Sequence, residues 1–407
     1  MSSNENHMLS GIRLLDLTRA VAGPTCTRMF AEMGAEVIKI ESAPDGDMTR
    51  QFSRFDSERS LHFVQQNLNK KSVCIDLKSE TGLELVRQLV PHCDVVVENY
   101  RPGIMEKKGL GYEDLAALRS DIILCSISAL GQTGPLSEKP GYDYIAQAYS
   151  GITSVIGEPD RVASLPNAAM GDVSTGVTAA FAVAAALLNR AATGKGQHLD
   201  IAILDSYYHC HEVNIHQFSG SKGAILPSRS GSQSRYLCPT GVYRGPGGDV
   251  IIMAFMNHWP DLCAAMERPD LVEDPAWATD AARLEQKDQV TALIETWLET
   301  FADVAGAVER LEQFDVPCAP VLSVGQTVDY PHLVERGTVR TIQDRVAGSF
   351  EIPGHPIHSS RYAANNAFHA PLLGEHNHEV LQTLLGKSAT DIEKLETKGI
   401  IHHSFEA

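Results

Sequence analysis

Short apolar runs alternate with helical segments along the first third of the chain, and this alternation limits the possible folds most strongly. The apolar runs have the length of strands, and glycine or proline stands near the ends of the helical patterns. Alternation of this kind predicts a parallel sheet with helices on both faces. The predicted strands cover residues 12–17, 36–40, 72–77, 94–98 and 122–128, and the predicted helices cover residues 25–33, 81–89 and 115–118.

The chain is long enough for two domains, and its composition changes near Ser219. Residues 219–234 are rich in serine and glycine and are typical of a linker or loop. We predict a large Rossmann-like α/β domain over residues 1–220 and a smaller α+β domain over residues 225–325. The loop-rich segment 330–407 is expected to return to the large domain.

The charge balance and the cysteines narrow the possible partners. The chain has 51 acidic and 34 basic residues and a formal net charge of −17, which is a poor basis for binding nucleic acid. The eight cysteines form no CxxC pair, so neither a zinc site nor a disulfide framework is expected. The N-terminus lacks an apolar signal segment, and the longest apolar stretch, 177–188, is too short to span a bilayer. We therefore expect a cytoplasmic protein without a nucleic-acid or membrane partner.

Several familiar site motifs do not occur. The first turn has Gly23 and then no glycine until Gly34, so the dinucleotide fingerprint is absent, and there is neither a GxSxG elbow nor a P-loop. Three histidines lie close together with one glutamate, but their spacing is not HExxH, and a polar helix face explains them better than a metal site. The three histidines and the glutamate are His209, His211, Glu212 and His216. We therefore predict no metal site.

Basic residues are frequent in the first third of the chain despite the acidic balance. Ligands of parallel α/β sheets bind beyond the carboxyl ends of the strands, and several of these residues follow predicted strands. Each one alone is as well explained as a solvated surface charge. Together they would suit a phosphate-bearing ligand such as a nucleotide or coenzyme A. They are Arg19, Arg28, Lys39, Arg50, Lys70, Lys71, Arg101, Lys107 and Lys108.

The segment MGDVSTG, residues 170–176, places one carboxylate at the start of a long alanine-rich helix predicted over 174–190. This helix is nearly all apolar, so we expect it to be buried. Asp172 or Ser174 could simply be an N-cap, because aspartate and serine are preferred there. Alternatively, Asp172 is a nucleophile that the positive end of the helix keeps ionised, with backbone N–H groups nearby to hold oxyanions.

These motifs occur together, and in this order, in a known family. The chain resembles the class III coenzyme A transferases over essentially its whole length. The segments that carry the resemblance are DLTRAVAGP (16–24), MGAEVIKIE (33–41), NKKS (69–72), ENYRPG (98–103), GDVSTG (171–176), TGKGQ (193–197), VPCAPV (316–321) and APLLGEH (370–376).

The resemblance implies that Asp172 transfers coenzyme A from an acyl-CoA to a small carboxylic acid, through mixed-anhydride and aspartyl-CoA thioester intermediates. Acyl-CoA is then a substrate, and no cofactor is permanently bound. The resemblance also implies a homodimer in which each chain threads through the other. The residues expected to lie along coenzyme A are Val21, Ala22, Ile75, Lys78, Asn99, Tyr100, Arg101, Lys107 and Tyr142.

Two other functions remain open at this point. The related α-methylacyl-CoA racemases use a histidine–aspartate pair, but that histidine would fall at Tyr142, and a phenol is a weak base near neutral pH. A catalytically inactive CoA-binding protein would have no need of Asp172. Within the transferases, the oxalate-specific members have a glycine-run loop where residues 228–234 hold one glycine, and a glutamine where this chain has Val21. Both differences argue against specificity for oxalate or formyl-CoA.

Overall fold

The computed structural model describes residues 7–55, 57–362 and 368–404. The strands are β1 (Arg13–Asp16), β2 (Glu36–Ser42), β3 (Lys70–Ile75), β4 (Val95–Glu98), β5 (Ile123–Ser128), β6 (Gln197–Ala202), β7 (Thr240–Gly245), β8 (Gly248–Met253), β9 (Cys318–Pro320), β10 (Val339–Asp344) and β11 (Gly348–Pro353).

The helices alternate with the first six strands and dominate the later part of the chain. They are α1 (Ala22–Glu32), α2 (Leu61–Gln66), α3 (Glu80–Leu89), α4 (Ile104–Lys107), α5 (Tyr112–Leu118), α6 (Asp143–Ser150), α7 (Met170–Thr193), α8 (Ile203–His209), α9 (Asn214–Gly220), α10 (Trp259–Ala265), α11 (Asp270–Glu273), α12 (Asp280–Glu285), α13 (Lys287–Leu298), α14 (Val304–Glu312), α15 (Val324–Val328), α16 (Pro331–Glu335), α17 (Asn377–Leu385) and α18 (Ala389–Thr397).

The first six strands form one parallel sheet in the order β3-β2-β1-β4-β5-β6, which confirms the predicted Rossmann-like α/β fold. The strand order reverses between β1 and β4. In sheets of this kind, the connections after these two strands leave towards opposite faces and open a crevice at the carboxyl ends. The segments that follow β1 and β4 are therefore the expected position of a ligand site.

Alternate residues of the strands enter two different cores, as the pleat of a strand requires. Leu14, Val95 and Val97 face the core that contains α1 and α7. Leu15 and Val96 face the opposite core, which α3 and α17 also enter. Both faces of the sheet are covered, which explains why the central strands β1, β4 and β5 are buried apolar runs, whereas the edge strand β6 keeps exposed polar residues on one side.

The compact units differ in their boundaries from the predicted domains. The large unit comprises Met1–Ile152, Pro166–Glu212 and Pro331–Ala407, and the second unit comprises Thr153–Leu165 and Val213–Tyr330. Residues 153–165 thus belong to the second unit, although the sequence pattern places them in the large domain. The last segment returns to the large unit, where an isolated bridge joins Ile401 to Ile75, the last residue of β3.

The second unit has its own sheet and its own core. Strands β7, β8 and β9 pair in this order and antiparallel. Helices α10, α13 and α14 contribute buried side chains to one core, among them Trp259 of α10. Serine- and glycine-rich residues 219–234 lie in this unit, and helix α9 extends into the start of that stretch.

Helix α7 differs from its prediction in two ways. It begins at Met170, so Asp172 lies inside the first turn and the N-cap position is held by Ala169 without a side-chain hydrogen bond. The helix is also not buried all round, because an apolar stripe remains exposed and Phe181 and Leu188 are each 75% accessible. By length and composition alone, α7 is also able to cross a bilayer, a test that core helices of soluble proteins pass as well.

Candidate active site

A cavity of about 310 Å³ lies at the carboxyl ends of β1, β4 and β5, where the strand order reverses. Three post-strand segments form its wall, together with the first turn of α7. The residues that line the cavity include Arg19, Val21, Ala22, Asn99, Tyr100, Arg101, Lys139, Tyr142 and Asp172.

Asn99, which directly follows the neighbouring strand β4, holds the turn between β1 and α1 in place. The Asn99 side chain accepts a hydrogen bond from the Arg19 N–H at 2.9 Å, and its Nδ2 donates to the Arg19 carbonyl oxygen at 2.7 Å. Ala20 adopts a positive φ of 65°, a conformation that costs energy for a residue with a Cβ. The Asn99 side chain thus fixes the backbone of the cavity wall.

Helix α1 points its N-terminus into the same cavity. Among the described residues, the backbone N–H groups of Ala22 and Gly23 have no hydrogen-bond acceptor. Helix α7 packs closely against this end, because a Cβ on Gly176 would lie 2.6 Å from the Ala22 carbonyl oxygen. The start of α1 therefore offers unpaired donors and the positive end of a helix dipole at the cavity wall.

The first turn of α7 carries Asp172, and its N–H groups are already in use. The Gly171 N–H donates to the Tyr207 hydroxyl at 3.0 Å, and the Asp172 N–H donates to Asp143 Oδ2 at 3.2 Å. The Val173 N–H bonds to the carbonyl oxygen of Ala169. The prediction that these N–H groups are available for oxyanions is therefore wrong for this conformation, because neighbouring side chains and backbone occupy them.

The ionisation of Asp172 also differs from the expectation. Partial burial, and then the nearby carboxylate of Asp143, raise the pKa of Asp172 to about 7. From the sequence, the helix terminus is expected to favour the charged form. Removal from water and a like charge both disfavour it, and they outweigh the helix dipole here.

Most of the predicted basic cluster does not face the cavity. Lys39, Arg50 and Lys70 are buried and paired with Asp47, Glu41 and Asp16 respectively. These three cations stabilise the sheet and its loops, so the prediction of one phosphate-binding cluster is wrong for them. Arg28 pairs with Glu32, and Lys71 pairs with Glu36 and Glu379.

Three cations line the cavity. Arg19 and Arg101 belong to the predicted cluster, and Lys139 comes from the segment after β5. The Arg19 guanidinium lies 5.1 Å from the centre of the Tyr100 ring, and Lys139 Nζ is 3.3 Å from the Tyr149 hydroxyl. These cations give the cavity the positive charge that the chain as a whole lacks.

The structure brings together seven of the ten predicted site residues. Ile75 is fully buried in the core, and Lys78 and Lys107 are exposed outside the residues that line the cavity. The seven at the cavity are Val21, Ala22, Asn99, Tyr100, Arg101, Tyr142 and Asp172.

Sequence reasoning missed Asp143, Tyr207 and Lys139. Asp143 follows Tyr142 directly, and Tyr142 is itself among the predicted site residues, so the position next to it is the sequence signal that could have identified this buried acid. Tyr207 lies on a short helix after β6, where no sequence signal marks it. In the described ranges, no group of three or more histidine, cysteine, aspartate or glutamate side chains is arranged to hold a metal ion.

Both the sequence and the fold of this chain are similar to those of known proteins. A profile described as CoA-transferase family III matches residues 9–377. The chain is 34% identical over 398 residues to succinyl-CoA:glutarate CoA-transferase of Mus musculus, covering 97% of this chain and 90% of that protein. It is 33% identical over 412 residues to formyl-CoA:oxalate CoA-transferase of Streptomyces coelicolor, covering 97% and 99% of the two chains. The crystal structure of a CAIB/BAIF family protein from Brucella suis matches with a TM-score of 0.83 at 32% identity, covering 93% of this chain and all of that one.

Proposed function

Because the chain belongs to CoA-transferase family III, we propose that it moves coenzyme A from an acyl-CoA to a small carboxylic acid through covalent intermediates on Asp172. The observation that carries this proposal is the position of Asp172. Its carboxylate lines a cationic cavity at the point where the strand order of the sheet reverses. Ligands of open α/β sheets bind at such points.

The reaction we propose balances without an added proton or cofactor. An Asp172 carboxylate oxygen attacks the thioester carbonyl carbon, the C–S bond breaks, and the CoA thiolate leaves a mixed anhydride. The thiolate then attacks the Asp172 acyl carbon, and the donor acid leaves as its carboxylate. The acceptor carboxylate attacks the acyl carbon of the resulting aspartyl-CoA thioester, the C–S bond breaks, and a second anhydride and free CoA thiolate form. The thiolate finally attacks the acceptor carbonyl and frees Asp172.

The cations of the cavity suit both substrates. Arg19, Arg101 and Lys139 would bind the phosphates of coenzyme A or the acceptor carboxylate. The unpaired N–H groups of Ala22 and Gly23, at the start of α1, are our candidate donors for an oxyanion on the thioester. The acceptors in the names of the two relatives, glutarate and oxalate, are dicarboxylic acids, so we propose a dicarboxylic acid as the acceptor here.

The test begins with succinyl-CoA as donor and a panel of mono- and dicarboxylic acids, with new acyl-CoA products read by mass spectrometry. We expect Asp172→Asn to abolish transfer and to leave the fold and CoA binding intact. Hydroxylamine added with acyl-CoA should convert Asp172 to a hydroxamate in the wild type, and omission of acyl-CoA is the control. An Asp172→Asn enzyme that still transfers CoA would overturn the mechanism.

A racemase activity is not favoured, because Tyr142 stands where that family has its histidine and its ring is 75% exposed. Exchange of the α-proton of a 2-methylacyl-CoA with solvent, in the absence of any acceptor acid, would support that activity instead.

We further propose that the protein works as a homodimer. Exposed apolar side chains follow one side of α7, and large exposed apolar patches are typical of interaction sites. A second copy of the chain is the partner we favour, in line with the interlocked dimer that the sequence resemblance implies. The exposed residues that support this are Val173, Val177, Phe181 and Leu188.

A further inference from the structure

A buried tyrosine reaches the first turn of α7 from α8. Tyr207 is only 3% exposed, and its hydroxyl donates a hydrogen bond to Asp143 Oδ1 at 2.5 Å. The same hydroxyl oxygen accepts the Gly171 N–H at 3.0 Å and a hydrogen bond from Gln147 Nε2 at 3.3 Å. A single side-chain oxygen therefore joins α6, α7 and α8 immediately beside Asp172.

Asp143 completes this arrangement from the start of α6. Its other oxygen, Oδ2, accepts the N–H of Asp172 itself at 3.2 Å. Asp143 is 8% exposed and has no ion-pair partner among the described residues. Two hydrogen bonds, from the Tyr207 hydroxyl and from the Asp172 backbone, therefore hold its carboxylate, and within the described part of the chain no cation pairs with it.

The pair explains why a glycine precedes Asp172. A Cβ on Gly171 would lie 2.1 Å from Tyr207 Cε2 and 2.5 Å from Asp143 Oδ1. Any other residue would force the tyrosine ring or the carboxylate away from the helix. The glycine therefore permits the close approach of both side chains.

We infer that Asp143 and Tyr207 are positioning residues that set the charge state of Asp172 and hold its turn of helix, an inference that rests on the proposed function. Asp172 alternates between a negative carboxylate and neutral acyl derivatives during the proposed reaction. A fixed negative charge beside it destabilises the carboxylate relative to the neutral forms and makes it more basic. The Tyr207 hydrogen bond moderates this effect, because it withdraws charge from Asp143.

The two residues therefore act on Asp172 in opposite directions. Asp143→Asn removes the repelling charge and should make Asp172 easier to ionise. Tyr207→Phe removes the hydrogen bond and leaves Asp143 a stronger negative neighbour, so Asp172 should become harder to ionise. The remaining ionisable groups around the cavity are present in every variant: Arg19, Arg101, Lys139 and Tyr142.

The experiment measures the ionisation of Asp172 without relying on transfer. A water-soluble carbodiimide reacts with protonated carboxyl groups, and peptide mass spectrometry gives the rate of labelling at Asp172 at each pH. We expect the midpoint of labelling to move by about one pH unit towards acid in Asp143→Asn, the size typical of a neighbouring charge. In Tyr207→Phe it should move towards alkaline pH. The acid limb of the transfer rate should follow the same two shifts.

The controls are Asp205→Asn and Tyr208→Phe, which change an exposed residue of the same type on α8. Both should leave the midpoint at its wild-type value. Thermal unfolding checks that each variant is folded. If one of the two test variants does not fold, the direction in which the labelling midpoint moves in the other still tests the inference.

Midpoints that stay in place, or that move the same way in both variants, would overturn the inference. The proposed function fails separately. If the midpoint of Asp172 labelling shifts as expected but no combination of acyl-CoA and acid yields transfer, the positioning role of Asp143 and Tyr207 is supported and the transferase mechanism is contradicted. If the wild type transfers CoA but both variants keep the wild-type midpoint of labelling, the transferase mechanism is supported and the positioning role is contradicted.

Discussion

At the scale of single residues, the electrostatics of Asp172 come from groups that are distant in sequence. The helix terminus favours its carboxylate, whereas partial burial and the charge of Asp143 disfavour it. The balance brings the pKa of Asp172 to about 7. A more basic carboxylate is a better nucleophile, provided that enough of it is ionised.

We expect the rate of CoA transfer to depend on pH through this group. Only the ionised carboxylate attacks the thioester, so kcat/KM should fall about tenfold per unit as the pH drops below about 7 and should level off above it. The measurement is kcat/KM for the acyl-CoA between pH 5 and pH 9. A profile that stays flat down to pH 5 would contradict a raised pKa for Asp172.

A second prediction concerns the buried carboxylate of Asp16. Burial alone would raise its pKa, but Lys70, Lys39 and hydrogen bonds from Thr18 and Thr27 lower it to about 2. Asp16 therefore stabilises the fold fully at every pH above the pKa that it has in the unfolded chain. This contribution is lost as the pH falls through its folded-state pKa of about 2. Asp16→Asn leaves Lys70 buried without its partner and should cost about 3–5 kcal/mol of unfolding free energy at pH 7.

Urea unfolding at pH 7 measures this loss, and Asp45→Asn, at an exposed position, is the control. An Asp16→Asn variant as stable as the wild type would show that the buried pair contributes nothing to the fold.

At the scale of elements, the approach of α1 and α7 decides where the site forms. Gly176 lets the two helices pack against each other at the level of Ala22 and Thr25. This contact brings the N-terminus of α1 and the Asp172 turn of α7 to the same cavity. Helix α7 is therefore apolar for two reasons, since one side packs against α1 and the sheet and the other forms the exposed stripe.

Gly176→Ala should separate these helices. The new Cβ would lie 2.6 Å from both the Ala22 carbonyl oxygen and the Thr25 Cβ, so backbone has to move. We expect a net loss of about 1–3 kcal/mol, typical of overpacking, together with reduced transfer activity. Gly306→Ala in α14 is the matched control, because a Cβ there meets only ordinary contacts. Denaturant unfolding compares the two, and equal stability would exclude the close approach.

At the scale of the whole molecule, the reversal of strand order positions the site, and the exposed side of α7 is a candidate contact with a second copy. Both features lie in the large unit. The fold supplies the crevice through topology alone, whereas the side chains at its edge supply the chemistry.

The dimer makes a prediction at this scale. Phe181→Lys places a charge in the middle of the exposed apolar stripe and should shift the protein from dimer to monomer, since burying an unpaired charge is unfavourable. Asn189→Lys adds the same charge at an exposed polar position of α7 and should leave the dimer intact. Sedimentation velocity distinguishes the two, and a Phe181→Lys dimer would place the interface elsewhere.

The sequence by itself determined the parallel α/β fold and the position of Asp172 at the start of a long helix. These features follow from local patterns, because the period of apolar residues and the turn residues depend only on near neighbours. The same reasoning failed for the start of α7, where glycine and aspartate lie within the first turn and Ala169 makes no side-chain cap.

Only the tertiary structure decided which charges meet. Asp143 and Tyr207 are 64 residues apart in sequence, yet their side chains lie in contact and control the turn that carries Asp172. Three residues of the predicted basic cluster, Lys39, Arg50 and Lys70, form buried ion pairs, while Lys139 joins Arg19 and Arg101 at the cavity. Electrostatic interactions act through space and depend on burial, so a pattern read along the chain cannot assign them.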